Sequence, residues 1–342
     1  DMTMTISKRG LLAGAVAAAT LVAGLQGAIA EDKVKIGALR FTSHAGGFIA
    51  AEKGYFKDAG IDPEFVFFQA AQPIAVSMAS GDTDFGIAGM TGGFVNLAAK
   101  DAIKAIGGVL SEKTGIDGMA ILASNQAYEA GLTSVDKMPG HSVALTQIGS
   151  TFHYMSSLIA DANGFKLADL KLTPLQKVGS MIGALKSGQV DLMIMVPHIA
   201  KPLADGGSAK LLGWLNDYAD GYQISVLAAS GKVINGNPDL VKRFVGAYAK
   251  GIAEFNRVML DPKADPAEVD AIVAMIHKYV YNDQPLEKAA PSIKAGSMYL
   301  NEGARMHLTD LDRQLKWFQS EGLIPGEFKI EQVVDTSFVE TY

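Results

Sequence analysis

The sequence predicts an α/β protein of two lobes, each a mostly parallel sheet with flanking helices, with a cleft between them. Three observations lead there. Short apolar strand segments alternate with helical ones through residues 33–110, and the alternation restarts at residue 142. A ten-residue stretch, SGDTDFGIAG at 80–89, returns as SGQVDLMIMV at 187–196, with Ser80, Gly81, Asp84 and Ile87 matched by Ser187, Gly188, Asp191 and Ile194. No low-complexity linker or charge run separates the two series, so the lobes should be joined by crossing strands rather than strung like beads.

In chain order, KVKIGAL (33–39) reads as the first strand. A helix follows over GGFIAAEKGYFKDAG, then the strand PEFVFF, the helix QPIAVSMAS and the buried strand DFGIAG. GGFVNLAAKD is a helix and IKAIGGVL a strand. The second series runs SVALT, the helix STFHYMSSLIADANGF, the strand LKLTPLQ, the helix SMIGALKS and the strands VDLMIMV and AKLLGWL. YQISVLAAS (222–230) leads out of the second unit. Beyond Pro238 three helical stretches follow, with capping signals at Asn237, Asp265 and Gly322. In each copy of the repeat, glycine should end a helix in the left-handed conformation and aspartate should stand at the entrance of a buried strand. Ligands of doubly wound sheets lie beyond the carboxyl ends of the strands, so the residues just after each copy are the ones to watch.

Composition narrows the function. The chain has 342 residues, 49% of them hydrophobic, and a net charge of −6, which argues against nucleic acid or an anionic membrane surface as partner. Lys8 and Arg9, the run LLAGAVAAATLVAGL and Ala28-Ile29-Ala30 read as an export signal over residues 1–30, cleaved after about Ala30, by the general rather than the twin-arginine route. The apolar run is short and broken by Gly14 and Gly24, which disfavours a membrane anchor. Cysteine is absent, which excludes a disulfide, a thiolate nucleophile and a lipid-modified cysteine. A soluble periplasmic protein is expected.

AAEKGYFKDAGIDPEF followed by ASGDTDFGIAG resembles the periplasmic substrate-binding proteins of nitrate, sulfonate, taurine and thiamine-precursor uptake systems. SVDKMPGHSVALTQIGSTFHYM is similar to the segment that opens their second lobe, and GALKSGQVDLMIMVPH to their second SGxxD unit. Met138-Pro139-Gly140-His141 and Leu192-Met193-Ile194-Met195 depart from the usual pattern, which bears on the ligand rather than the fold. The resemblance, over about residues 33–230, implies a type II periplasmic-binding-protein fold. Residues 31–122 and 223–342 would form the first lobe and 123–222 the second. It implies a monomer that closes on a small-molecule ligand, docks transiently on the permease of an ABC importer, and needs no cofactor.

Four loops should converge on the cleft: Phe41-Thr42-Ser43-His44, Gly89-Met90-Thr91, Ser150-Thr151-Phe152-His153 and Pro197-His198, with Gln69 as a neutral polar contact. Gly, Ser and Thr at helix starts favour an anion, although Ser150 and Thr151 equally suit a plain cap. His44, His153 and His198 fall on these loops. They can donate hydrogen bonds to a carboxylate or sulfonate; a metal site is not expected, because no Asp/Glu cluster accompanies them. Phe41, Phe152 and Met90 would form an apolar or aromatic wall. Arg40 reads either as a ligand contact or as half of a hinge salt bridge. The expected ligand is a small organic anion, a sulfonate or carboxylate head on an apolar or aromatic body, with a pyrimidine or thiamine precursor as the alternative. An exported enzyme is the weaker class: no nucleophile elbow, dinucleotide fingerprint, phosphate loop or zinc helix occurs, and Ser150 and His153 have no acid nearby in sequence.

Overall fold

The computed structural model describes residues 30–342; the export-signal reading of residues 1–30 therefore lies, but for Ala30, outside the described residues. The first series forms β1 (Asp32–Ala38), α1 (Ala45–Glu52), α2 (Tyr55–Asp58), β2 (Ile61–Phe67), α3 (Ala71–Ser80), β3 (Phe85–Ala88), α4 (Gly92–Ala99) and β4 (Ile103–Ser111). The single helix expected over 46–60 is two, because Gly54 adopts φ +77 between them and stops α1 after Lys53.

The second series forms β5 (Ala120–Ala123), α5 (Asn125–Glu129), β6 (Ser142–Leu145), α6 (Thr151–Asn163), β7 (Lys171–Pro174), α7 (Val178–Ser187), β8 (Leu192–Met195), α8 (Pro197–Asp205) and β9 (Lys210–Trp214). The chain then returns through β10 (Gln223–Ser230), α9 (Gly231–Gly236), α10 (Pro238–Met259), α11 (Pro266–His277), α12 (Leu286–Ala295) and α13 (Leu308–Ser320). Asn237 caps α10 by accepting the Leu240 N–H, and Asp265 caps α11 by accepting that of Ala267. The last helix starts later than its periodicity suggests, because His307 caps it through the Asp310 N–H.

The two sheets share one plan. Their orders are β2-β1-β3-β10-β4 and β7-β6-β8-β5-β9. Each is parallel except for one strand, β10 or β5, which runs antiparallel between its neighbours. Those two strands carry the crossings. The chain changes sheets between Ser111 and Ala120, and back between Trp214 and Gln223.

The sequence repeat is the same joint built twice. Gly81 (φ +85) and Gly188 (φ +76) end α3 and α7 in the left-handed conformation. The Asp84 carboxylate then accepts the Lys35 N–H of β1 at 2.8 Å, and the Asp191 carboxylate accepts the Ser142 N–H of β6 at 3.3 Å. Their carbonyls accept N–H groups from the ends of the reversed strands, Ser230 for one and Ser124 for the other. Each aspartate thus stitches a central strand to both neighbours. The FGIA and LMIM strands that follow are fully buried.

Candidate functional site

The carboxyl ends of both sheets face one another across a cavity of about 60 Å³. The first sheet contributes Leu39, Phe41, Ser43 and His44 after β1, Ala70 and Ala71 after β2, Ile87 to Gly89 at the end of β3, and Ile224 and Ser225 of β10. The second contributes Thr146, Thr151, Phe152 and Met155 around the start of α6, with Val178 and Val196 after β7 and β8. The lining is mostly apolar and contains no charged side chain. Its polar groups are Ser43, His44, Thr146, Thr151 and Ser225.

Two of these groups have no partner within the described fold. Ser43 Oγ and Ser225 Oγ are buried, at 3% and 5% residue exposure, and have no hydrogen-bond partner among the described residues. A buried hydroxyl left unpaired costs about 1–3 kcal/mol, which a hydrogen bond to a ligand group in the cavity would recover. His44 supplies a third group. Its Nδ1 accepts the Leu39 N–H at 3.0 Å, which leaves the proton of the neutral ring on Nε2 as a donor. Burial, helped by nearby His198, lowers its pKa to about 3, so the ring is a neutral donor rather than a cation. From the other lobe, Ser150 caps α6 by accepting the His153 N–H, and Thr151 opens the helix at the cavity wall.

Of the sequence-derived candidates, Phe41, Ser43, His44, Gly89, Thr151 and Phe152 line this cavity. Gln69 lies outside it, in the grooves at its mouth. Thr91 is engaged at the start of α4, where its hydroxyl bonds Gln72 and accepts the Phe94 N–H. Met90 packs into the core behind β3, Thr42 is fully buried, and Ser150 is occupied by its cap. His153 repeats the His44 arrangement in the second lobe: its Nδ1 accepts the Gly149 N–H at 3.0 Å. Its ring then meets Trp317 edge-on at 5.0 Å, and burial lowers its pKa.

Pro197 opens α8 rather than ending a loop, a role its fixed φ suits. His198 beside it is the seat of one lobe on the other. Its ring meets Phe41 at 5.4 Å and Tyr281 at 5.8 Å, its carbonyl accepts the Tyr281 hydroxyl, and its backbone lies against Gly296. Burial lowers its pKa to about 3 as well.

The lobes are drawn together around the cavity. The Gly92 N–H donates to Gly149 O and the Val178 N–H to Gln69 O, both at 3.0 Å, while Trp317 Nε1 donates to Ser157 Oγ at 2.9 Å. Ile224, Ser225, Leu110 and Met119, at or beside the crossings, also line the cavity or its floor and were not singled out in the sequence. Their signal was weak: only their place beside the two crossings gives them away.

In fold the chain is similar to the alkanesulfonate-binding protein SsuA from Xanthomonas axonopodis pv. citri, at TM-score 0.70 and 17% identity over 89% of this chain and 98% of that one. It is similar to the periplasmic aliphatic sulphonate binding protein SsuA from Escherichia coli, at TM-score 0.67 and 16% identity, covering 89% and 92%. The periplasmic nitrate-binding protein NrtA from Synechocystis PCC 6803 matches at TM-score 0.68 and 13% identity, covering 89% and 85%. At such identities the likeness is one of fold. No curated protein matches in sequence. The NMT1/THI5 like family model matches residues 41–262, well over half of the chain, and joins the two-lobed fold and the interlobe cavity in one conclusion: this chain belongs to the NMT1/THI5-like family.

Proposed function

We propose that the chain is an extracytoplasmic solute-binding protein that captures a small organic anion, a sulfonate or carboxylate, and hands it to the membrane permease of an ABC importer. One observation carries this reading: two buried, unpartnered serine hydroxyls and a neutral histidine donor line a mostly apolar cavity at the start of α6. Helix starts favour negative charge, and neutral N–H and O–H donors can hold an anion there without a cationic side chain. Of the three fold relatives, two are named for sulfonates and one for nitrate, which supports an anionic ligand.

Residues 1–30 would be the export signal. The lobes of residues 31–122 with 223–342, and of 123–222, would open and close about the two crossings, in a monomer. Among the described residues no helix is long and apolar enough to cross a membrane. The lining carries no acid, lysine, arginine or cysteine, which supports binding rather than catalysis.

The same absence of a lining cation favours a second reading, a neutral pyrimidine or thiamine precursor. Thermal-shift measurements with alkyl and aryl sulfonates, carboxylates, nitrate and pyrimidines distinguish the two, because a ligand that binds only the folded form raises the melting temperature. A rise with organic anions is expected. A rise with pyrimidines alone replaces the anion reading with the second one, and catalytic turnover of a bound compound overturns both.

A further inference from the structure

The inner cavity is too small for the aromatic body that the sequence suggests. An apolar cavity of about 150 Å³ holds a benzene ring, and the inner cavity offers about 60 Å³. Space of the right size lies beside it. A groove of about 410 Å³ shares Leu39, Phe41 and Val178 with the inner cavity and continues along Phe67, Phe68 and Gln69 to Arg40 and Gly179.

Arg40 is held there by the fold. Its guanidinium lies 3.9 Å above the Phe67 ring, and Nη1 donates to Tyr279 O at 3.1 Å. Tyr279 is itself fixed, its ring stacked on Phe48 at 4.4 Å and its hydroxyl donating to Glu52. Arg243, Arg257, Arg305 and Arg313 each have a carboxylate within 4.0 Å; among the described arginines Arg40 alone has none. The hinge salt bridge that its sequence position allowed is therefore not made. A guanidinium carries five N–H donors, and one bond to Tyr279 leaves most of them available. The groove's other wall is the first turn of α7, where Gly179 belongs to the set of N–H groups without intrahelical partners.

We propose that this groove is an outer subsite, and that the ligand is an elongated dianion. Its head lies in the inner cavity, its aromatic body runs along Phe41, Phe67 and Phe68, and a distal carboxylate or sulfonate meets Arg40 and the start of α7. This rests on the anion reading above and extends it from the head of the ligand to its far end.

Isothermal titration with benzenesulfonate, 4-sulfobenzoate and 4-sulfophenylacetate tests it, since the three differ only in the presence and reach of a distal carboxylate. Wild-type protein should favour at least one of the two dianions over benzenesulfonate by about tenfold, the range of a charge-assisted hydrogen bond. In Arg40→Gln that ratio should fall to about one. General damage to the fold weakens all three probes in parallel and preserves the ratio, so a ratio that survives the substitution overturns the subsite. Equal affinities in the wild type overturn it too and leave the anion reading standing. Failure of all three to bind, with no carboxylate bound in their place, removes both.

Discussion

Ser43 and Ser225 are places where stability and function should part. Each buries a hydroxyl that has no protein partner, so Ser43→Ala removes a desolvated group without breaking any bond in the fold. The variant should be as stable as the wild type or more stable by about 1 kcal/mol, and should bind ligand several-fold more weakly. Chemical denaturation and titration of the same sample check both halves. A variant that loses stability and keeps its affinity would make the hydroxyl structural. The same residue-level contrast explains the histidines. His44 and His153 follow corresponding strands, β1 and β6, and each accepts a backbone N–H through Nδ1, yet only His44 reaches the cavity wall. The sequence shows both at the right turns; it cannot show that Trp317, 164 positions beyond His153, comes to cover one of them.

At the scale of elements, α8 meets α12 at a contact that tolerates no side chain. A methyl group on Gly296 would lie 2.1 Å from His198 Cβ and 2.6 Å from its nitrogen, and one on Gly89 would lie 2.1 Å from Thr151 Cγ2. If the lobes part to admit solute, Gly296→Ala wedges the closed form by about 1–3 kcal/mol, as overpacking does elsewhere. Affinity should fall about tenfold, and small-angle scattering should show a protein that no longer contracts fully with ligand. Undiminished affinity and full contraction would mean that the lobes do not close on this contact.

Most elements were legible from their spacing and stop signals. The repeated SGxxD unit located both glycine stops and both buried strands. β5, α8 and α12 were not, nor were the short helices α5 and α9. β5 is four residues of uniform apolarity with no alternation, α8 hides behind a proline read as a loop, and α12 carries an internal proline at 291. The cavity was legible in part where it lies after parallel strands, at Phe41, Ser43, His44, Gly89, Thr151 and Phe152 but not at Thr146, Met155 or Val178, and illegible where the reversed strand β10 enters it.

The whole molecule has a pH signature set at two places, the lobe seat and the crossings. Glu112 begins the first crossing, 2% exposed, with Oε1 accepting the Met119 N–H and Oε2 pressed toward Gly118. Its backbone bonds Tyr222 and Gly221 of the second crossing. Burial raises its pKa to about 7, the Met119 bond opposing and Asp220 adding. A carboxyl raised in the folded state holds a proton that the unfolded chain has released, so its contribution falls as pH rises from 4.5 to about 7. His44 and His198, lowered from 6.5 to about 3, work the other way and lose stability as pH falls below 6.5.

Two histidines outweigh one carboxyl, so stability from these groups should peak near pH 6.5 and decline on acidification. Glu112→Gln should stabilise the protein at pH 8 by up to about 3 kcal/mol and steepen the acid limb. Urea midpoints across pH 4.5–8.5 measure this, and unchanged curves would show that Glu112 titrates normally.

The reversed strands also decide when this protein can finish folding. β3 and β4 are not hydrogen-bonded to one another; β10, made far later, fills the gap between them. A chain delivered from its amino end therefore presents β1 to β4 as an unfinished sheet with a missing central rung, while the second sheet, contiguous in sequence, can assemble whole. The first lobe must wait for Gln223–Ser230, and the lobe completed last begins first. Until that strand arrives, the leading half of the chain should stay incompletely ordered.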